Sequence, residues 1–326
     1  MAVRFALSSL LFGAALGCAE DATSEGPDSG VGGRPPAEAQ EVRIATFNAR
    51  NLFNDRIDGE PGILDEAGST PSTAVYQAKL RNTATLLAQL EAHVIVLQEI
   101  ENRAVLDELA ARSELGREYP HRYLVAGNDP RGIDVGLMST LPIISQVSHR
   151  ADLFPRTDLP DGPKYRYARD CIEVQLEVAG RSLHVLGVHF KAKSNDDPDK
   201  RLAEAQHTRL LADATLARDP EALVVVLGDF NDFPGSPPMN ALDGAAPLLF
   251  TSAGRRLPNA RAWTVESSSA PGGRALHDDL LTSPSLTGAY VNGSVHILHD
   301  AELSRELADL SDHAPVVASY YIEPPR

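Results

Sequence analysis

The chain has 326 residues and a formal net charge of −15, with 43% hydrophobic and 23% charged residues. These fractions are ordinary for a soluble globular protein with a sizeable core. The acidic balance argues against tight, nonspecific binding of nucleic acid, for which proteins are usually basic. It does not exclude chemistry on nucleic acid, because carboxylates that bind divalent cations also count as negative charge.

The first residues have the pattern of an export signal. Arg4 precedes an almost unbroken run of apolar and small residues over 5–17. The run is shorter than the ~20 residues that span a bilayer and fits a signal peptide. It ends at Cys18 in a segment that resembles the bacterial lipobox, where the cysteine is lipidated. We therefore expect residues 1–17 to be removed and Cys18 to anchor the protein at the cell envelope (outer membrane or periplasm), with simple secretion as the alternative.

The next segment, residues 18–40, is rich in Gly, Pro, Ser, Ala and acidic residues and lacks large apolar ones. Such a segment cannot bury enough surface to offset the entropy of ordering, which predicts a flexible tether. No comparable linker follows, so residues 41–323 are predicted to form one domain. The second cysteine, Cys171, lies in a strand-like stretch and is predicted to be a core residue without a disulfide partner.

Within this domain, short apolar runs that predict buried strands alternate with helical patterns. Apolar residues at helical spacing over 76–90 predict one helix, and Asp197 followed by Pro198 predicts the N-cap of another that extends to Arg218. The predicted strands are residues 42–47, 94–97, 134–139, 143–147, 183–188, 223–227 and 314–322. Because the pair 134–139 and 143–147 resembles a hairpin, the sheets are predicted to be mixed rather than purely parallel.

Polar residues directly follow several of these strands. They are Asn48, Gln98 and Glu99, His189, and Asp229 and Asn231 of the turn 228–231, while Ser311, Asp312 and His313 precede the last strand. Each has an ordinary alternative as a turn former or an exposed side chain. Together they can occupy one rim of the sheets, and a cluster of oxygen ligands there suits Mg²⁺, Mn²⁺ or Ca²⁺ rather than zinc.

The same segments resemble the successive motifs of the endonuclease/exonuclease/phosphatase superfamily, which includes deoxyribonuclease I. The resemblance spans residues 42–320, and the fuller start at 47–53 is similar to secreted bacterial proteins of nuclease-like type. It is carried by Thr46-Phe47-Asn48, Leu97-Gln98-Glu99, Gly187-Val188-His189, Gly228-Asp229-Phe230-Asn231 and Ser311-Asp312-His313. It implies an α/β (α+β) fold of four layers, in which two packed mixed β-sheets are flanked by helices and a metal site lies at one end.

The resemblance also implies a metal site and a proton-transfer pair. Glu99 would be the principal ligand of Mg²⁺ (or Mn²⁺ or Ca²⁺), with Asn48 close by and Asp312 completing the coordination. His313 would be the general base or hold the attacking water, near its unperturbed pKa. Asp278, which fits the family's spacing better than its neighbour Asp279, would accept a hydrogen bond from the His313 ring.

Further matched residues are implied to contact the substrate or the attacking water. Asp229 and Asn231 would position the water and a phosphate oxygen, and His189 would donate to the developing phosphoryl charge. Arg169 and Lys191 are candidate substrate contacts, with a structural or solvated role as the alternative. The remaining histidines considered are predicted to have no catalytic role: His93, His184 and His277.

The resemblance implies a metal-dependent phosphodiester hydrolase, first of all an exported nuclease that acts on DNA or RNA. A lipid phosphodiesterase of the sphingomyelinase kind and a phosphomonoesterase are the alternatives, although aromatic content of 6% with Trp263 as the one tryptophan shows no apolar membrane-binding hairpin. A non-catalytic surface binding protein is the alternative of another class. We expect no obligate protein partner, and membrane contact only through the lipid anchor.

Overall fold

The computed structural model describes residues 38–56, 70–267, 270–299 and 302–325. The predicted signal peptide and Cys18 lie outside the described residues, as does most of the predicted tether, and the first strand already begins at Gln40. The strands are β1 (Gln40–Leu52), β2 (Val94–Ile100), β3 (His121–Leu124), β4 (Asp134–Ser139), β5 (Ile143–Ser148), β6 (Cys171–Val178), β7 (Arg181–His189), β8 (Leu223–Asp229), β9 (Thr251–Ser252), β10 (Val265–Glu266), β11 (Arg274–Ala275), β12 (Asp278–Thr282), β13 (His296–Ile297) and β14 (Val316–Ile322). The helices are α1 (Thr73–Ala88), α2 (Arg103–Ala110), α3 (Pro198–Arg218), α4 (Pro237–Asp243), α5 (Pro284–Gly288) and α6 (Arg305–Ala308).

Two mixed six-stranded sheets form the centre of the fold. Sheet A has the strand order β13-β14-β1-β2-β4-β3, and sheet B has the order β5-β6-β7-β8-β12-β9. The predicted α/β architecture of two packed sheets flanked by helices is confirmed. In the described part of the chain, no helix combines the length and apolar character that crossing a bilayer requires.

Three apolar clusters hold these layers together. The inner faces of the two sheets meet in one cluster, in which Val96 of sheet A and Ile172 of sheet B are fully buried. A second cluster joins sheet A to α1 and α2, and a third joins sheet B to α3 and α4. Cys171 is buried in the third cluster and is a free thiol, as predicted.

The second predicted helix begins as its sequence indicates. The Asp197 side chain accepts a hydrogen bond from the Lys200 backbone N–H, and Pro198 occupies the first turn, where no backbone donor is needed. The helix ends at Arg218, whose charge favours the carboxyl end of the helix dipole.

The predicted hairpin of strands 134–139 and 143–147 is wrong. β4 pairs with β2 and β3 in sheet A, whereas β5 pairs with β6 at the edge of sheet B. The short connection between them therefore crosses from one sheet to the other. Local alternation shows that both segments are strands, but the choice of partner depends on long-range packing.

One end of the sandwich collects the polar residues singled out above. β1 and β2 are parallel neighbours in sheet A, and β7 and β8 are parallel neighbours in sheet B, so their carboxyl ends share a rim. The antiparallel neighbours β4, β6, β12 and β14 begin at this same rim. The fold thereby brings segments that are distant in sequence to one place.

Candidate active site

The backbone around the rim is irregular where the polar residues occur. Register shifts interrupt β1 after Asn48 and β2 around Glu99. Four non-glycine residues in this region have left-handed backbone, with φ of 47° at Arg50, 53° at Asn51, 61° at Glu99 and 51° at Asn231. Such conformations cost free energy and concentrate at functional sites, where the surrounding structure enforces them.

Asn48 links the two sheets at the rim. Its Nδ2 donates to Glu99 Oε1 at 3.3 Å in sheet A and to Asp229 Oδ2 at 3.1 Å in sheet B. Its Oδ1 accepts from the Arg50 backbone N–H at 2.9 Å, which defines the orientation of the amide. Asn48 therefore presents its amide NH₂, rather than the predicted ligand oxygen, to Glu99.

Glu99 has the features of a ligand for a hard cation. Its Oε2 accepts from the Asn51 backbone N–H at 2.9 Å, and its side chain is partly open to solvent. Glu99 Oε1 and Asp229 Oδ2 converge on the same Asn48 nitrogen, so two carboxylate oxygens lie close together. An oxygen donor set of this kind fits Mg²⁺, Mn²⁺ or Ca²⁺.

Asp312 does not extend this carboxylate group. Its side chain is 58% exposed and forms a 3.7 Å ion pair with Arg50. Among the described residues, the acidic and histidine side chains whose possible ligand atoms lie within 4.8 Å of one another are Asp229, Asp278 and His313. Within this trio we interpret Asp278 and His313 as a proton-transfer pair, whereas Asp229 also lies beside Glu99 through their shared contact with Asn48.

The ring of His313 lies between these carboxylates. Its Nδ1 is 2.7 Å from Asp278 Oδ2, and its Nε2 is 3.9 Å from Asp229 Oδ2. Burial alone would lower the pKa of His313, but the charges of Asp278 and Asp229 outweigh it and raise this pKa to about 10. The expected unperturbed pKa therefore does not hold, and the two carboxylates favour the protonated form of the ring.

The structure places Asp278, rather than Asp279, against His313. Successive residues of β12 point to opposite faces, and the buried Asp279 accepts from the Gly254 backbone N–H and the Ser252 hydroxyl on the other side. Burial raises the pKa of Asp279 to about 6, against the effect of these hydrogen bonds.

Thr264 and Ser311 hold the two partners of this pair in place. Thr264 Oγ1 accepts from the Asp278 backbone N–H at 3.0 Å. Ser311 Oγ donates to the Asn48 carbonyl at 2.8 Å and accepts from the His313 backbone N–H at 3.1 Å. The Ser311 contact explains the serine of the final motif, whereas no sequence signal distinguishes Thr264 from other loop threonines.

His189 and Asn231 both support Asp229. His189 is buried, and its Nε2 is 3.3 Å from Asp229 Oδ2. Burial and the nearby charge of Arg169 lower the pKa of His189 well below its ordinary value, so the ring is neutral. This nitrogen contacts Asp229 here, and the donation of His189 to the phosphoryl group stays a prediction. The Asn231 backbone N–H donates to Asp229 Oδ1 at 2.8 Å. The Asn231 side-chain Nδ2 donates to the Phe190 carbonyl at 3.0 Å.

The two predicted substrate contacts are engaged within the protein. Arg169 is buried, donates to the Phe190 carbonyl at 2.8 Å and forms an ion pair with Asp129 at 3.0 Å. Lys191 Nζ donates to the carbonyls of Ala192 and Ser194 at 3.1 and 3.0 Å. In this arrangement Arg169 is bound by two other segments of the chain, and Lys191 is bound by carbonyl groups of its own loop.

His277 lies closer to the site than the sequence suggested. Its ring is buried, with its centre 6.5 Å from that of His313, and burial lowers the pKa of His277 to about 4. Its position next to Asp278 at the start of β12 was visible in the sequence, but its burial was not. It remains without an assigned role.

Gly228 permits the close approach of β7 and β8 that brings His189 to Asp229. A Cβ at Gly228 would lie 2.0 Å from the Val188 carbonyl oxygen, and its φ of 140° disfavours any other residue. We expect Gly228→Ala to lower the free energy of unfolding by about 3 kcal/mol, from steric overlap and backbone strain together. Urea unfolding followed by circular dichroism measures this loss.

Gly116→Ala is the matched control for this substitution. Gly116 also has positive φ, 68°, but nothing lies within 4 Å of an added Cβ. Only the conformational cost of about 1 kcal/mol should remain there. Equal losses in the two variants would contradict the steric argument at Gly228.

One comparison with known proteins identifies the family of this chain. The sequence profile of the endonuclease/exonuclease/phosphatase family matches residues 43–247. No curated protein matches the chain in sequence.

Solved structures with this fold are distant in sequence. Truncated Caenorhabditis elegans TDP2 is 16% identical, with 86% of this chain and 98% of that chain covered and a TM-score of 0.56. The human Nocturnin catalytic domain with bound sulfate is 15% identical, with coverages of 86% and 95% and a TM-score of 0.56. A family protein from Bacteroides thetaiotaomicron is 14% identical, with coverages of 88% and 96% and a TM-score of 0.59. At these identities the likeness shows the fold alone.

Proposed function

Because the chain belongs to the endonuclease/exonuclease/phosphatase family, whose members are typically metal-dependent phosphoric ester hydrolases, we propose that it is an exported nuclease that cleaves phosphodiester bonds of DNA or RNA. The observation that carries the proposal is the convergence of Glu99, Asp229 and the Asp278–His313 pair at one rim. Carboxylates for a cation and a group for proton transfer are the parts that phosphodiester hydrolysis needs.

Glu99 and Asp229 would hold the cation, and Mg²⁺, Mn²⁺ and Ca²⁺ fit their carboxylate oxygens. When bound, the cation supplies neutralisation of the phosphate charge and polarisation of the P–O bond. Asn48 keeps the two carboxylates together through its amide NH₂.

The protonation states of Asp229 and His313 suggest which of them accepts a proton and which donates one. Burial, and then the charge of Asp278, raise the pKa of Asp229 above its ordinary value. The Asp229 carboxylate would accept a proton from the water that attacks phosphorus, while the bond to the leaving oxygen breaks and that oxygen takes a proton from solvent. The His313 imidazolium would donate from Nε2 to a phosphate oxygen, because Asp278 already holds its Nδ1. In this proposal Asp229 takes the general-base role, which the family resemblance had given to His313 as one of two possible roles.

The test is hydrolysis by the purified protein of single-stranded DNA, duplex DNA, RNA, sphingomyelin vesicles and an inositol phosphate. Each substrate is assayed with Mg²⁺, Mn²⁺ or Ca²⁺ and with excess chelator. We expect cleavage of nucleic acid that requires the cation, while chelator leaves the circular dichroism spectrum of the fold unchanged.

The alternatives give different results in the same assay. Hydrolysis of sphingomyelin or inositol phosphate without cleavage of nucleic acid would replace the nuclease proposal with a lipid phosphodiesterase or a phosphomonoesterase. Absence of turnover on every substrate would favour a binding protein. Unchanged turnover in chelator would contradict the metal requirement.

A further inference from the structure

One carboxylate near the rim is shared by two arginines. Asp129 Oδ1 accepts from Arg131 Nε at 3.0 Å and Asp129 Oδ2 accepts from Arg131 Nη2 at 2.9 Å, so this pair is bidentate. The buried Arg169 forms an ion pair with the same Asp129 Oδ2 at 3.0 Å. Two positive charges therefore meet one negative charge, and the trio carries a net charge of about +1 because both guanidiniums stay protonated.

The trio differs from an ordinary surface ion pair in how it is built. The Asp129 side chain is only 9% exposed, whereas the Arg131 side chain is 57% exposed. Burial alone would raise the pKa of Asp129, but the hydrogen bonds of Arg131 and the charge of Arg169 outweigh it and lower this pKa. A buried, ionised carboxylate thus holds an exposed guanidinium.

The sheet register places Asp129, Arg131 and Arg169 beside the rim that carries the proposed active site. The loop that contains Asp129 and Arg131 leads directly into β4, whose first residue, Asp134, pairs with Ile100 immediately after Glu99. On the other side, Arg169 lies two residues before β6, whose first residue pairs with the strand position before His189. The trio therefore spans from sheet A to sheet B next to the proposed site of hydrolysis.

The geometry leaves one side of the Arg131 guanidinium available. Asp129 occupies the Nε and Nη2 side, and among the described residues nothing is bonded to Nη1. Two further hydrogen bonds hold the turn: the Arg131 backbone N–H donates to Asp129 Oδ1, and the Gly132 N–H donates to the Asp129 carbonyl. A planar guanidinium held in this way presents two parallel N–H groups that match the oxygens of a phosphate.

We infer that Arg131 binds a second phosphate group of the substrate, adjacent to the phosphodiester that is cleaved, with Asp129 and Arg169 as positioning residues. This inference rests on the proposed function and narrows its substrate class to molecules with at least two phosphates, such as an oligonucleotide. A positioned arginine would also contribute to the binding of a polyanion by this acidic protein.

The first test compares three dinucleotides with one phosphodiester each: TpT, pTpT and TpTp, of which the last two carry a second phosphate. We expect the wild-type protein to prefer one phosphorylated dinucleotide over TpT by ~10-fold or more in kcat/KM, the size expected for a charge-assisted hydrogen-bond pair. Arg131→Ala should abolish this preference mainly through KM. Arg131→Lys, which retains the charge but not the paired N–H groups, should restore only part of it.

Arg181→Ala is the matched control, because Arg181 begins β7 at the opposite end of sheet B and bonds the Glu221 carbonyl. It removes the same charge and should leave the preference for the second phosphate unchanged. A preference that survives in Arg131→Ala, or that is absent from the wild type although TpT is hydrolysed, would overturn the inference while the proposed function stands.

Binding without turnover separates the two hypotheses. The probe is thymidine 3′,5′-bisphosphate, compared with thymidine 5′-monophosphate by calorimetry in the presence of chelator. We expect the bisphosphate to bind more tightly to the wild type and to Arg181→Ala, and the difference to disappear in Arg131→Ala. This result without any hydrolysis would support the anion site and reject the nuclease. Equal binding of both probes by the wild type would reject the anion site.

Discussion

His313→Ala is expected to lower turnover on the best substrate by ~10²–10⁴-fold, the range typical of a group that acts in proton transfer or donates to developing charge. The physical reason is the position of the ring, which contacts Asp278 through Nδ1 and points Nε2 toward Asp229. The measurement is kcat and kcat/KM at saturating cation, at a temperature below the melting transition of each variant. His184→Ala, five residues before His189 on β7 and only half-buried, should retain normal turnover.

Loss of stability could imitate this result, and the structure provides a way to separate the two effects. Asp278 is fully buried, and its Oδ1 already has no hydrogen-bond partner among the described residues. Removal of His313 leaves this carboxylate without its cation, which typically costs about 3–5 kcal/mol. Adding Asp278→Asn to His313→Ala removes the uncompensated charge and should recover much of the melting temperature. Recovery of activity together with stability in the double variant would show that His313 is only structural.

Glu99→Gln is expected to reduce turnover by at least ~10²-fold at a cation concentration that saturates the wild-type protein, since it removes the charged donor of the proposed site. The substitution conserves shape, and its oxygen can still accept from the Asn51 backbone N–H. Its new NH₂ group would face the Asn48 NH₂ group, where Glu99 Oε1 now accepts. Activity is measured against Mn²⁺ concentration, and Mn²⁺ binding is followed by electron paramagnetic resonance.

Glu177→Gln is the control for this substitution, because Glu177 is exposed near the end of β6 that is remote from the rim. It changes the net charge equally and should leave the Mn²⁺ dependence unaltered. If Glu99→Gln binds Mn²⁺ as tightly as the wild type and turns over normally, Glu99 is not the ligand. Weak Mn²⁺ binding with normal turnover would instead show that the cation is dispensable.

Most of the residues that gather at the rim could be predicted from the sequence. Strands such as 94–97 and 223–227 are short apolar runs, and Asn48, Glu99, His189 and Asp229 follow them, so strand direction alone predicts their common end. The N-cap at Asp197 was equally predictable. These features depend on residues close in the chain, where hydrophobic periodicity and capping chemistry act.

Which atoms of these residues are in contact depends on long-range packing and could not be predicted from the sequence. β4 and β5 belong to different sheets, and the Asn48 amide turns its nitrogen toward Glu99 because the Arg50 N–H holds its oxygen. The raised pKa of His313 requires two carboxylates around one ring: Asp229 at the end of β8 and Asp278 at the start of β12, both distant from His313 in sequence.

The different roles of Arg169 and Arg131 also depend on tertiary contacts. Arg169 was a candidate substrate contact and is buried as a support. Arg131 lies in a stretch, residues 131–134, that resembles one bordering the active site in relatives; it received no role from the sequence, yet its side chain is largely exposed. Asp129 is shared by Arg131 and Arg169 because the loop before β4 packs against the segment before β6. The side-chain periodicity of either segment does not predict that contact. The charge exposed at the rim therefore depends on tertiary contacts, whereas most of the residues that form the rim can be predicted from the sequence.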